Sequence, residues 1–305
     1  MQRLIRPRPF ASQFNTVKVI SRQHSVSSLT TGSVSSIPYV TVPHPDIASH
    51  QTHLSTIDQH LQRDAIIHIK LDFDDHDSNY IQSLVRGLHK TNGHGLPITH
   101  SADRGWMWDI RPTPASLQHC QARSETMNEF PWHTDCSYEK CPPRFFALHV
   151  LQPDTCGGGT LSVLKVEQLL ALLSPFAKKW LFAPNYRIAV PPEFKKSPED
   201  QYIVGGLLAT SADGKTSQLR FREDIITPLD KQAAEALEEL KSVLLGPAAN
   251  ANTLHLTAQD LSRGSIILMD NRRWLHARNH VKDPNRHLRR VRWDARAFGA
   301  SSFAP

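Results

Sequence analysis

The sequence predicts an α+β protein, a double-stranded β-helix or jelly-roll barrel with flanking helices. Three observations predict it. Most of the chain beyond residue 93 reads as short strands, the helical patterns are few, and the side chains best suited to hold a metal are divided between an early and a late strand. With 305 residues, 39% of them hydrophobic and 21% charged, the chain can bury a full core, and a barrel of this size forms one domain.

Taken in order, residues 1–45 read as a tail and residues 46–305 as the folded domain. The tail has no Asp or Glu, carries Arg3, Arg6, Arg8, Lys18 and Arg22, and is rich in Ser and Thr from Ser25 to Ser36. That composition fits a mitochondrial transit peptide or a disordered basic tail, and so a mitochondrial or cytoplasmic, in either case intracellular, protein. Pro7 and Pro9 count against the amphipathic helix of an import signal. A short helix is expected near 57–61, a buried strand over 65–71, and an amphipathic helix over 78–90, where Tyr80, Leu84, Val85 and Leu88 recur at helical spacing.

Strands follow. Residues 106–111 alternate, with Trp106, Trp108 and Ile110 on one face and Met107, Asp109 and Arg111 on the other. Residues 144–151 form a mostly apolar strand, and the glycines of Cys156-Gly157-Gly158-Gly159-Thr160 turn the chain into another. No Lys-Ser/Thr pair follows those glycines, so the case for a nucleotide-binding loop is weak. A helix carries Leu169, Leu170 and Leu173, and Ser174-Pro175 restarts it as N-cap and first turn. Short strands and turns fill 185–221, including the hairpin signal Asp213-Gly214. Thr227-Pro228-Leu229-Asp230 reads as the capped start of a helix through Lys241 that buries Ala233, Leu237, Leu240 and Leu244, and Gly246-Pro247 stops it. Three strands, at 254–256, 265–269 and 288–296, close the chain.

Composition removes several classes of function. No apolar run approaches the ~18 residues that a membrane-spanning helix needs. The net charge of +6 is divided between the tail and residues 272–296, which does not make the single basic face of a nucleic-acid binder. Cys120, Cys136, Cys141 and Cys156 form no CxxC pair, so neither a zinc nor a disulfide framework is expected.

The chemistry lies in Pro131-Trp132-His133-Thr134-Asp135-Cys136-Ser137-Tyr138. In an extended segment His133 and Asp135 point to one face. His276 arrives in Asp270-Asn271-Arg272-Arg273-Trp274-Leu275-His276-Ala277-Arg278. Two imidazoles and one carboxylate make the facial triad that holds Fe(II) with three positions open. Arg286 and Arg290 share one face of the last strand, whereas Arg289 and His287 fall on the other, and guanidinium forks bind carboxylates bidentately. Singly, any of 17 histidines means little; the order of these features along the chain is what carries the reading.

These residues resemble the taurine dioxygenase and clavaminate synthase-like superfamily, in the His133/Asp135 pair, the Asp270-Asn271-Arg272 segment leading to His276 and Arg278, and the closing Arg286/Arg290 strand. The resemblance covers residues 46–298. It implies an Fe(II)- and 2-oxoglutarate-dependent dioxygenase, with His133, Asp135 and His276 as iron ligands and O2, 2-oxoglutarate and a small molecule as reaction partners. Arg286 would pair with the distal carboxylate of 2-oxoglutarate and Thr160 would hydrogen-bond to the same group. Arg290 would be a second positive group, for substrate or co-substrate. Arg278 is expected to make a structural ion pair, and Asp270 and Asn271 to fix the turn that aims His276.

For the substrate, the stretch from Gly93 to Pro112 is similar to fungal members acting on amino-acid-derived metabolites, which makes a small polar molecule the first choice. The pocket wall is expected from 106–111 and 138–141. The sulfonate-binding histidine of taurine dioxygenase has three candidates, His94, His100 and His119. Carnitine-pathway hydroxylation of a betaine is an alternative, although the cysteine-rich zinc module is missing and an aromatic cage would have to come from Trp106, Trp108, Trp132 and Tyr138. A metal-binding barrel without catalysis and a nucleic-acid demethylase are the readings from other classes.

Overall fold

A computed structural model describes residues 37–99, 105–113, 121–195, 197, 199, 201–211 and 213–299. The expected tail lies outside them up to residue 36, but its end is corrected. Tyr39–Val42 forms strand β1, which pairs in parallel with β2 (Ile66–Leu71), and Val42 is fully buried. A Tyr-Val-Thr-Val segment suits a half-buried pleat whatever its neighbours' composition.

Two helices follow from apolar spacing. Helix α1 (Gln51–Arg63) buries Leu54, Ile57 and Leu61, and α2 (Asn79–Asn92) buries Tyr80, Ile81, Leu84, Val85 and Leu88. The Asp75 carboxylate accepts from the Asn79 and Tyr80 amides at 2.8 and 2.9 Å, and Gly93, at φ +71°, ends α2 in the left-handed conformation. Both helices pack on one face of a six-stranded sheet.

The remaining strands are β3 (Met107–Ile110), β4 (Phe130–His133), β5 (Pro143–Gln152), β6 (Leu161–Lys165), β7 (Tyr186–Ala189), β8 (Tyr202–Gly205), β9 (Leu208–Thr210), β10 (Ser217–Leu219), β11 (Ile226–Pro228), β12 (Leu254–Leu256), β13 (Ser265–Asp270), β14 (Trp274–Arg278) and β15 (His287–Ala295). The six-stranded sheet runs β1-β2-β13-β5-β15-β3, and a four-stranded sheet runs β12-β6-β14-β4. Phe146, Leu148, Ile267, Met269 and Leu288 of the first sheet share one core with Leu161, Val163 and Trp274 of the second, so the inner faces of the two sheets pack together. Behind the second sheet, Leu164 and Leu275 join a core with helices α3 (Val166–Ala171), α4 (Pro175–Phe182) and α5 (Lys231–Leu244). Among the described residues no helix is long and apolar enough to cross a membrane.

The caps explain where the helices begin. Ser174 Oγ accepts from the Ala177 amide at 3.0 Å, as expected. For α5 the cap is Asp230, which accepts from Ala233 at 2.7 Å, while Thr227 belongs to β11. Asp213-Gly214 does turn β9 into β10, with Gly214 at φ +71°.

His149, on the outward face of β5, is 1% exposed and hydrogen-bonded through Nδ1 to Ser78 Oγ at 2.8 Å. Burial pushes its pKa down to about 4. The folded protein therefore holds this ring neutral where the unfolded chain, titrating near about 6.5, binds a proton. The stability involved is present above that pH and is lost as pH falls toward 4, about 3 kcal/mol in all. Urea unfolding of His149→Gln should show a flatter dependence of stability on pH between 6.5 and 4 than the wild type.

Candidate metal centre

Strand pairing creates the centre. His133 ends β4 and faces His276 of β14 across an antiparallel ladder, although 143 positions of chain separate them. Thr134 then hydrogen-bonds to Phe221 through both backbone (2.7 Å) and hydroxyl (3.1 Å). Asn271 grips the next residue. Its side-chain oxygen accepts from the Asp135 amide at 2.7 Å, and its NH2 donates to the carbonyls of Asp135 at 2.9 Å and Pro143 at 3.0 Å.

The result is a compact buried cluster. Asp135 Oδ1 lies 3.9 Å from His133 Nε2 and 3.7 Å from His276 Nε2, and one ligand atom from each of the three residues falls within 4.8 Å of the others. Phe130 stacks on the His133 ring at 3.6 Å and Phe146 lies against His276 at 4.7 Å. His133 Nδ1 donates to the Pro131 carbonyl at 2.8 Å, which leaves the Nε2 lone pair for a metal. Burial, with His276 beside it, keeps His133 neutral by holding its pKa well below the usual histidine range. Burial alone would raise Asp135, but Arg290, His276 and Arg292 together hold its carboxyl well below the ordinary value. Two imidazole nitrogens and an ionised carboxylate converging at 3.7–3.9 Å fit a divalent metal with open positions.

A cavity opens from the cluster. Its walls are largely apolar, from Ile110, Phe146, Leu148, Val150, Leu161 and Leu288, with Arg286, Arg278 and Arg290 among them. Arg286 is 6% exposed, and burial, with Arg278 nearby, pushes its pKa down to about 9, so it stays charged at neutral pH. It lies against Gly159, where a Cβ would stand 2.9 Å from its Nε, and at φ +65° that position is one glycine takes readily. The Asp154 carboxylate accepts from the amides of Cys156, Gly158, Lys282 and Asp283, and so fastens the glycine turn beside Arg286. This glycine turn cradles a guanidinium, not a phosphate.

No family model matches the chain. It is 28% identical to the L-asparagine oxygenase of Streptomyces coelicolor over 190 residues, which are 62% of this chain and 53% of that protein, so the match spans about half the relative's length. An asparagine oxygenase bound to Fe(II), 2S,3S-3-hydroxyasparagine and succinate superposes with a TM-score of 0.63 and 18% identity, over 84% of this chain and 93% of that one. The non-heme iron oxygenase OrfP with Fe and alpha-ketoglutaric acid gives 0.63 and 16%, over 88% and 100%. The fold is that of the iron-dependent oxygenases.

Within this oxygenase fold the expected residues fall as follows. His133, Asp135, His276, Arg286 and Arg290 meet in one cavity; Gly158, Gly159 and Leu161 line it around Thr160, whose amide donates to Asn279 Oδ1 at 2.8 Å. Arg289 and His287 point away, both bound to Asp109. Arg278 makes no ion pair among the described residues; its guanidinium donates to the carbonyls of Ser124, Thr126 and Asn128, clamping the loop that precedes β4. Of the expected wall, Ile110 lines this cavity and Tyr138 a neighbouring one, while Cys141 is exposed. Trp106, Trp108 and Trp132 pack in three different cores and make no cage. His94 is a core residue bonded to Asp58 and Trp293, and His100 and His119 lie outside the described residues.

Sequence reasoning missed the grip of Asn271 on Asp135 and the role of Asp154. His133→Ala and Asp135→Ala should each abolish Fe(II) binding in anaerobic titration, and Asn271→Ala should weaken it about 10-fold or more while leaving the fold intact by circular dichroism.

Proposed function

We propose that this protein is an Fe(II)- and 2-oxoglutarate-dependent dioxygenase that hydroxylates a small amino-acid-derived molecule, and that its two facing sheets form a double-stranded β-helix. The observation that carries the reading is the buried His133-Asp135-His276 cluster opening into the same cavity as the charged Arg286. The fold neighbours crystallised with succinate or alpha-ketoglutaric acid, and with hydroxyasparagine or hydroxyarginine, support both the co-substrate and the amino-acid scale of the substrate.

The overall reaction is 2-oxoglutarate + O2 + R–H → succinate + CO2 + R–OH. Bound Fe(II) supplies the centre at which dioxygen and the keto acid react. His133, Asp135 and His276 would hold the metal. Arg286 takes the distal carboxylate of 2-oxoglutarate, and Gly159 gives that guanidinium room. Arg290, within 3.1 Å of Asp135, keeps the ligand carboxylate ionised and presents its charge to both cavities beside the cluster. The apolar walls exclude water from the reacting atoms. Betaine hydroxylation loses support because Trp106, Trp108 and Trp132 pack in different cores, and a retired scaffold has no use for a charged arginine buried in the cavity wall.

Anaerobically reconstituted protein should release succinate from 2-oxoglutarate on admission of air, faster with one member of a panel of amino acids, sulfonates, betaines and a methylated oligonucleotide. Absence of both coupled and uncoupled turnover would remove the reading. Arg286→Ala should raise the 2-oxoglutarate requirement about 30-fold or more and leave Fe(II) binding in place. Wild-type behaviour of Arg286→Ala, with loss in Arg290→Ala, would reverse the assignment of the two arginines.

A further inference from the structure

A second cavity shares His133, Asp135 and Arg290 with the first but reaches away from Arg286 and the glycine turn. We infer that it is the subsite for the molecule to be oxidised, and that it selects a small carboxylic acid, a dicarboxylate or an acidic amino acid, over cationic amino acids and betaines. This rests on the oxygenase reading above, which places the co-substrate in the first cavity.

Charge carries the argument. Arg123, Arg222, Arg290 and Arg292 all line this cavity, and Asp135, the ligand, is its one carboxylate among the described residues. Asp224 stands behind the wall and is shared: it takes Arg222 through two contacts of 2.9 Å and Arg123 through one of 3.4 Å, so one carboxylate serves two guanidiniums. Glu139 acts on Arg292 from outside the wall, and Arg292 also touches Cys136 Sγ. Among the described residues an entering ammonium would meet guanidiniums, with no lining carboxylate to receive it except one already committed to the metal, an arrangement that rejects by like charge. An entering carboxylate meets the geometry it binds best.

Position agrees with that role. The backbone of Arg222 bridges that of His133, so its side chain starts beside a metal ligand, and Arg123 and Arg222 flank Phe130, which stacks on His133. Tyr138 and Phe194, stacked at 5.5 Å, supply an apolar wall for the hydrocarbon part of the acid.

The test measures binding without turnover. Protein loaded anaerobically with Fe(II) and 2-oxoglutarate is titrated calorimetrically with L-aspartate, L-glutamate, L-asparagine, L-arginine and glycine betaine. At least one of the two acids should bind 10-fold or more tightly than the other three compounds, and Arg222→Gln and Arg123→Gln should each weaken that acid 10-fold or more while the affinity for 2-oxoglutarate changes less than threefold. Arginine or betaine binding as tightly as the acids, or neither acid binding to protein that holds 2-oxoglutarate, overturns the assignment. Failure to bind 2-oxoglutarate at all would remove the oxygenase reading and this subsite with it.

Discussion

Everything at the centre depends on the reciprocal pair of hydrogen bonds between the Asn271 side chain and the backbone of Asp135. The two residues are 136 positions apart, and folding must bring them together at the cost of closing a long loop. Asparagine suits the task because its amide offers an acceptor and a donor in the spacing of a peptide group. A third bond, to Pro143, ties the same side chain to the start of β5. Three segments that each carry part of the site are thus held by one buried residue, and the antiparallel register of β4 and β14 then sets His276 opposite His133. A buried amide left half-paired would cost about 1–3 kcal/mol, so the arrangement is close to all-or-none.

Electrostatics gives the site its second constraint. Burying Asp135 opposes its ionisation, and Arg290, with help from Arg292, reverses that. Buried arginines away from that pair, Arg278 and Arg286, have no carboxylate in hydrogen-bonding contact among the described residues, and their pKa values fall to about 10 and about 9. Arg278 satisfies its donors with three backbone carbonyls and so serves as a clamp. Arg286 is aimed into the cavity, which makes it the group with most to gain from an anionic ligand.

Much of this was legible because strands alternate. The period of two correctly separated Arg286 and Arg290 from His287 and Arg289, and it placed His133 and Asp135 on one side. The same rule orders β6, where Leu161 and Val163 are buried while Ser162 hydrogen-bonds outward to His255. Strand β1 was hidden by the composition of the residues before it. A hydroxyl-rich stretch reads as tail, and only the partner strand β2 turns Tyr39–Val42 into a strand. Arg278 and Asp154 were illegible for another reason, since their partners are backbone atoms, most of them distant in sequence, and backbone groups leave no mark in residue type.

The most direct measurement of the central claim is a crystal grown anaerobically with Fe(II) and read by anomalous scattering at the iron edge. The account predicts a single strong peak within bonding distance of Nε2 of His133, Nε2 of His276 and the Asp135 carboxylate, on the side of the cluster that faces Arg286. A peak held by other side chains, or an imidazole of His276 turned away from the metal, would contradict it.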